Sequence, residues 1–404
     1  MNNDFALTLY TPIKEGDPPS PIMPISNMAI GWQRSIRLNG GFWDGSFEIN
    51  EPADVLQEWF NNYLGYHIQE TSGGAVTWEG LIYEMVLSVG NFKRRISLSD
   101  IVNRSMCIFT DGRTAWGTVQ ASADRYGTKE ETIDQNYSDD EEADNKRDLY
   151  LKQYAWPRGV PIEGMNNDPP KLHVSCSGYV HTMNWRHVTI PNGDKRQTVS
   201  EHITHIISVD SEFISVGRID ANASTGIVQA DIDDESHTPA RCWDIIAKDL
   251  LPLGDSDANM WRFHIDINRK AYYTPQDMTP TYQVRNGEVF YNSGEAVSLS
   301  PWWITPGVFR DLDFPQKGAE EGSLYQDMRD VLIDEIVVDA TGGVSYRSLN
   351  YGSSQFLDML NKYIQLKGGG KKKSSVHKSK WMWGDMSKEQ QEWWEEGRVG
   401  PPPE

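Results

Sequence analysis

The chain has 404 residues, with 58 Asp and Glu against 38 Lys and Arg and a formal net charge of −20. That balance argues against a nucleic-acid binder, because gripping a phosphate backbone depends on Lys and Arg displacing counterions. With 38% hydrophobic residues the chain is long enough for two or three cored domains, and its 15 Trp and 17 Tyr bring large buried areas per residue.

Cys107, Cys176 and Cys242 are odd in number, far apart and without metal spacing, so they read as small buried residues and not as a disulfide framework. No apolar run reaches the length of a membrane span, and MNNDFALTLYTP lacks the charged and apolar zones of a signal peptide. The expectation is a chain made, or assembled, in a cytoplasm.

In chain order, FALTLY (5–10) reads as a short strand. Pro12, Pro18, Pro19, Pro21 and Pro24 then favour an extended, polyproline-like arm. IGWQRSIRLN alternates, spacing Ile30, Trp32, Arg34, Ile36 and Leu38 by two. Asn39-Gly40-Gly41 supplies the positive backbone angles of a tight turn, and FWDGSFEIN returns as the second strand of a hairpin, Phe47 and Ile49 on one face. Val55, Leu56, Trp59, Phe60, Tyr63 and Leu64 make the apolar stripe of a helix that Gly65 stops. AVTWEGLIYEMVLSV (75–89) carries apolar residues on both faces, which places it at the centre of a sheet or closed barrel. FKRRISL and RSMCIFT are expected to continue that sheet.

Residues 113–137 read as a polar helix. The acids Asp139, Asp140, Glu141 and Glu142 lack the alternating spacing and central Gly of a calcium loop, so a solvated loop is expected there. From Lys171, KLHVSCSGYVHTMNWRHVTI reads as a strand pair, TVSEHITHIISV as a short helix and EFISVGRIDAN as a strand. TPARCWDIIAKDLLPLGD is an amphipathic helix, capped by Thr238, with Pro239 at its first position and Gly254 at its end. NMWRFHIDINRKAYY, TYQVRNGEVFYN with its Asn286-Gly287 turn, and IDEIVVDATGGVSYRS return to strands.

The fold class expected is therefore mostly β with α (α+β), as two β-barrel-like domains with covering helices. An extended Pro-rich arm covers residues 1–27, the first barrel-like domain 28–165 and the second, with its helices, 166–345. A C-terminal helical segment (346–366) leads to a flexible Lys-rich linker and Trp-rich peptide (367–404). That last stretch holds Lys367, Lys371, Lys372, Lys373, Lys378 and Lys380, then Trp381, Trp383, Trp393 and Trp394, with a Ser387/Gln390 capping box. Aromatic anchors of this kind are the usual hot spots of binding peptides, so a docking arm is expected.

Chemistry is harder to find. There is no G-x-S-x-G elbow, P-loop or dinucleotide fingerprint, so no catalytic residue, metal or cofactor is assigned. His202 and His205 share a helical face in EHITH, with His181 and His187 near in sequence, but the H-E-x-x-H order of zinc proteases is absent. Two surface histidines are the plainer reading. A Trp-rich acidic chain also suits a carbohydrate-binding or carbohydrate-active protein using a carboxylate pair. Against that, Trp32, Trp59, Trp78 and Trp261 sit in strand and helix patterns that core packing explains.

GWQRSIRLNGGFWDGSF, TWEGLIYEMVL and RRISLSDIVNRSMCIFTD followed by SADRYGTKEE resemble the tail hub or tail-tip, baseplate-hub-like proteins of tailed bacteriophages. KLHVSCSGYVHTMNW, LLPLGDSDANMWRFHIDINRKAYY and PWWITPGVFRDLDF fit the same pattern, which extends over roughly residues 28 to 315. The resemblance implies a structural protein of the virion tail, assembled in the host cytoplasm. It implies two barrel domains and a homo-oligomeric ring, commonly a trimer, at the end of the tail tube. Its partners would be the tail tube, distal tail and other baseplate proteins, with DNA only passing through the lumen during ejection and no membrane span. An acidic lumen would repel that DNA. No enzymatic role is expected, since no lysozyme-like or peptidase motif occurs. Phe42 and Trp43 become interface candidates, packing within the first barrel or against the next copy, beside Trp381, Trp383, Trp393 and Trp394 of the arm.

Overall fold

Alternation along the chain is realised as sheet over the first ninety residues. In the computed structural model, residues 5–13, 18–90, 92–109, 112–134, 139–162, 168–189, 197–226, 240–255, 259–277, 279–285, 288–291, 304–311, 330–339 and 343–347 are described. The chain divides into Met1–Met359 and Leu360–Glu404, and all described residues belong to the first unit. Most of the 346–366 segment and all of the Trp-rich arm lie outside them.

Strands β1 (Phe5–Tyr10) and β2 (Pro21–Pro24) come first, followed by the hairpin β3 (Ile30–Arg37) and β4 (Gly40–Ile49). Helix α1 (Ala53–Asn62) buries Leu56, Trp59 and Phe60 of the predicted stripe. The hairpin β5 (His67–Ser72) and β6 (Ala75–Gly90) is continued by β7 (Phe92–Ser97). The proline-rich arm is extended but packed: β2 pairs with β1, and Ile25 is wholly buried.

The next stretch departs from expectation. Strands β8 (Arg104–Phe109), β9 (Gly112–Arg113) and β10 (Gly117–Thr118), helix α2 (Gln120–Tyr126) and strand β11 (Glu130–Asp134) follow. The four strands form their own sheet around β8, with β11 parallel to it, so RSMCIFT does not extend the first sheet. Alternation identifies a strand but not its neighbour. The acidic run expected to be a solvated loop opens a helix, α3 (Asp140–Tyr154). Asp139 caps it by accepting from the Glu142 N–H at 2.8 Å, and Asp140, Glu141 and Glu142 fill the first turn, where carboxylates offset the positive end of the helix dipole.

Strand β12 (Val160–Pro161) pairs with β7. Strand β13 (Asp168–Ser177), the first of the predicted second domain, lies between β4 and β6 and pairs antiparallel with both. Then come β14 (Gln197–Thr198), α4 (Val199–Val209), β15 (Ser215–Ile219) and β16 (Thr225–Gly226). Thr198 and Glu201 close a reciprocal capping box on α4. Helix α5 (Cys242–Asp244) runs into a π-helical stretch, Ile245–Leu250, and a 3-10 turn, Leu251–Leu253, before β17 (Trp261–Asp266) and β18 (Lys270–Pro275). Thr238, Pro239 and the Asn286-Gly287 turn lie outside the described residues. Strands β19 (Tyr282–Arg285), β20 (Glu288–Tyr291), β21 (Gly307–Asp311) and β22 (Asp330–Ile333) form a second four-stranded sheet. Strands β23 (Glu335–Asp339) and β24 (Val344–Arg347) return to the large sheet through β3.

The main path of that sheet runs β15-β18-β17-β4-β13-β6-β5-β1-β2. The molecule is thus mixed and mostly sheet, an α+β fold. Among the described residues the path ends at β15 and β2 without returning on itself, so the expected barrel closure is not seen there. Its centre is β6, paired with β5 and β7 along one side and β13 along the other.

Candidate functional site

The β3–β4 hairpin is the part of the sequence with the densest aromatic and glycine usage, and the structure shows what each is for. Gly40 and Gly41 take φ of +112° and +77° and turn the chain. They also seat a distant strand: β17 runs parallel to β4 at these two residues, and the Asn39 side chain accepts the Phe263 N–H at 3.1 Å. A Cβ on Gly41 would collide with the Ile265 carbonyl. Further along β4, a Cβ on Gly45 would lie 2.6 Å from the Trp32 ring, so the missing side chain is what admits two indoles to the sheet face.

Those indoles begin a continuous aromatic run. Trp78 meets Trp32 edge-on at 5.3 Å between centroids and Phe42 at 6.4 Å. Trp32 contacts Phe47 at 6.0 Å, Phe47 contacts Trp59 of α1 at 6.4 Å, and Trp59 contacts Tyr63 at 4.9 Å. Phe42 is therefore a core residue that packs within the sheet. Trp43, one residue on, faces the other way and is half-buried. Arg37 lies over its ring at 4.1 Å, with His181 and Trp243 at 4.5 and 5.9 Å. Trp381, Trp383, Trp393 and Trp394 lie outside the described residues.

Beneath the aromatics sits a charged pair with no access to water. The Arg34 Nε–H donates to both Glu70 carboxylate oxygens, at 2.8 and 3.0 Å, and both side chains are fully buried. Trp32 Nε1 donates to the same carboxylate at 2.6 Å, and the Thr77 hydroxyl donates to it as well. Burial pulls the Arg34 guanidinium down from its ordinary value, and Glu70 opposes that. Sequence reading passed over Glu70. Its signal was Arg34 itself, a charge on the apolar face of an alternating strand, which demands a buried partner. Enclosed on all sides, the cluster orients β3, β5 and β6 against one another and presents no reacting group to a solute.

A second polar knot lies around Glu130. Its carboxylate accepts the His187 backbone N–H at 2.8 Å and faces Arg104 at 3.1 Å, while Arg241 donates to the Glu130 carbonyl at 2.6 Å and to the Glu131 side chain at 2.8 Å. These contacts join β11 to the segments around residues 187 and 241. The His202 and His205 pair does not converge: His202 is buried in α4, and His205 Nε2 lies 2.5 Å from the Thr189 carbonyl. Among the described residues no three His, Cys, Asp or Glu side chains are grouped to hold a metal. Cys107, Cys176 and Cys242 are free and buried, and burial pushes their thiols up. Among the described residues no helix is long and apolar enough to cross a membrane.

No family model matches the chain, and no curated protein matches it. Among solved structures it is similar to the prophage MuSo2 43 kDa tail protein from Shewanella oneidensis, at 10% identity and a TM-score of 0.39, over 85% of this chain and 95% of that one. An overlap that loose assigns neither fold nor function.

Proposed function

We propose that the chain is a structural component of a bacteriophage tail, forming a hub or tip ring of several copies, commonly three, at the distal end of the tail tube. The observation that supports this best is where the hub-like segments fall. GWQRSIRLNGGFWDGSF is the β3–β4 hairpin, TWEGLIYEMVL runs along β6, KLHVSCSGYVHTMNW supplies β13 between them, and MWRFHIDINRKAYY supplies β17 and β18 beside Gly40 and Gly41. Segments far apart in the chain thus share one sheet and one core, as the parts of a single architectural unit would. The charged groups at its centre are enclosed and hold strands in place, which suits a building block better than an enzyme.

In this reading the tail tube, distal tail and baseplate proteins are the partners, and DNA passes through an acidic lumen that repels it. Closing a ring from heterologous contacts is what cyclic symmetry requires. Electron microscopy of the purified protein, paired with zymography on peptidoglycan and common glycans, tests the reading. A closed three-fold ring without turnover is expected. A monomer that digests glycans, with turnover abolished by one Glu or Asp substitution, would sink it in favour of a carbohydrate-active protein.

The Trp-rich C-terminal peptide acts as a docking arm that grips a neighbouring copy or another tail protein, its tryptophans supplying the anchors. Deleting residues 368–404 should leave folding and melting of the remainder unchanged, while incorporation into tails falls sharply. Infectious particles at normal yield from the truncated chain would refute the arm.

A further inference from the structure

The turn between β17 and β18 closes on a buried acid. Asn268 and Arg269 take φ of +61° and +59°, and among the described residues no other non-glycine residue has positive φ. Side chains with a Cβ adopt that region reluctantly, so two in succession persist only where surrounding contacts hold them. The holding contacts are clear. The Arg269 N–H donates to Glu79 Oε1 at 2.9 Å, its Nε–H donates to the Phe213 carbonyl at 3.2 Å, and its guanidinium stands 5.7 Å from the Tyr179 ring. Asp266 tightens the start of the turn, accepting from the Ile267 N–H at 2.7 Å. Glu79 lies in the first third of β6, only 2% exposed.

Few polar groups face Glu79. Arg269 and Asp266 come from the turn, Gln69 from β5, and Tyr179 from the 3-10 segment Tyr179–Asn184. His67 of β5 stands behind Tyr179, its Nδ1 2.8 Å from the phenol oxygen. Burial holds His67 down at about 3 and pushes Tyr179 well up, so both stay uncharged between pH 4 and 8.

We propose that this turn is a pH-gated latch, seated on Glu79 as the neutral acid and released when that side chain ionises. As the acid, Glu79 keeps a carbonyl oxygen to accept the Arg269 N–H while no charge is held out of water. As the carboxylate it gains most from hydration, which requires the turn to lift, and lifting also frees Asn268 and Arg269 from their left-handed backbone. The direction of titration agrees. Burial raises the Glu79 carboxyl above its ordinary value by more than the Arg269 contacts and Gln69 lower it. A carboxyl raised in the closed form binds its proton more tightly there than when hydrated. Closure is therefore fully favoured below the ordinary carboxyl range and is lost as pH rises through the closed-state value.

Hydrogen exchange on the full chain from pH 4 to 8, corrected for intrinsic rates, tests this at the Arg269 amide with β6 amides as reference. Arg269 protection should fall by up to about tenfold per pH unit between the ordinary carboxyl range and the closed-state value while β6 holds, and level off above it, as one coupled proton dictates. E79Q retains an acceptor oxygen without the charge and should stay protected throughout. A flat parent profile overturns the latch, as does an E79Q profile that follows the parent, or β6 amides losing protection in parallel. Should E79Q not fold, N268G takes its place. By relaxing the turn in its closed form it should raise Arg269 protection by a similar factor at every pH, and unchanged protection overturns the proposal equally.

Discussion

Glu70→Ala is expected to cost about 3–5 kcal/mol of folding stability, read from urea unfolding, because it removes one partner of a fully buried ion pair. The loss is threefold. Arg34 keeps a charge that cannot reach water, Trp32 Nε1 loses its 2.6 Å acceptor, and the Thr77 hydroxyl loses its own. Replacing the pair together, as Arg34→Met with Glu70→Leu, should recover the part owed to the stranded Arg34 charge, while Trp32 Nε1 and the Thr77 hydroxyl still lack their acceptor. The double-mutant cycle then gives a large coupling energy. A single-variant cost under about 1 kcal/mol would mean that water reaches the carboxylate, contrary to its complete burial.

Trp78→Ala should be comparably severe, at about 3–5 kcal/mol, for a different reason: it empties a site that cannot collapse. Trp78 is fully buried between Trp32 and Phe42. The surrounding backbone is already cut close to the ring, as a Cβ on Gly80 would collide with the Trp78 indole and one on Gly45 would stand 3.3 Å from it. With β6 pinned on both sides by neighbouring strands, relaxation into the void is blocked. Thermal melting of the variant beside the parent measures the effect, and a melting point within a degree or two would show that β6 is not central.

How much of this was legible follows from which interactions leave a local mark. The hairpin was visible because Asn-Gly-Gly between alternating runs has one backbone solution, and β6 because apolar residues on both faces of a long strand imply neighbours on both sides. Helix α1 was visible from its stripe. What stayed hidden was pairing: nothing in RSMCIFT says that β8 builds a separate sheet, and nothing in KLHVSCS says that β13 enters between β4 and β6. The acids at 139–142 misled because a loop and a helix start share a composition, and only the Asp139 cap decides between them. At the candidate site, Phe42 and Trp43 were singled out together, yet alternation sends them to opposite faces, one into the core and one to a half-open contact with Arg37. Arg34 was in plain view on an apolar face, and Glu70 was its unasked partner.

The placement of β13 also has a consequence in time. A ribosome delivers β4 and β6 long before the strand that lies between them, an interval on the order of ten seconds at ordinary elongation rates. Throughout that interval both strands have emerged with one flank of amide and carbonyl groups unsatisfied, and β3 waits longer still for β23. The nascent chain is therefore at its most adhesive well before it is complete. A cut or stall between Gly90 and Asp168 leaves a fragment with three open flanks, on β3, β4 and β6, and no strand of its own to fill them.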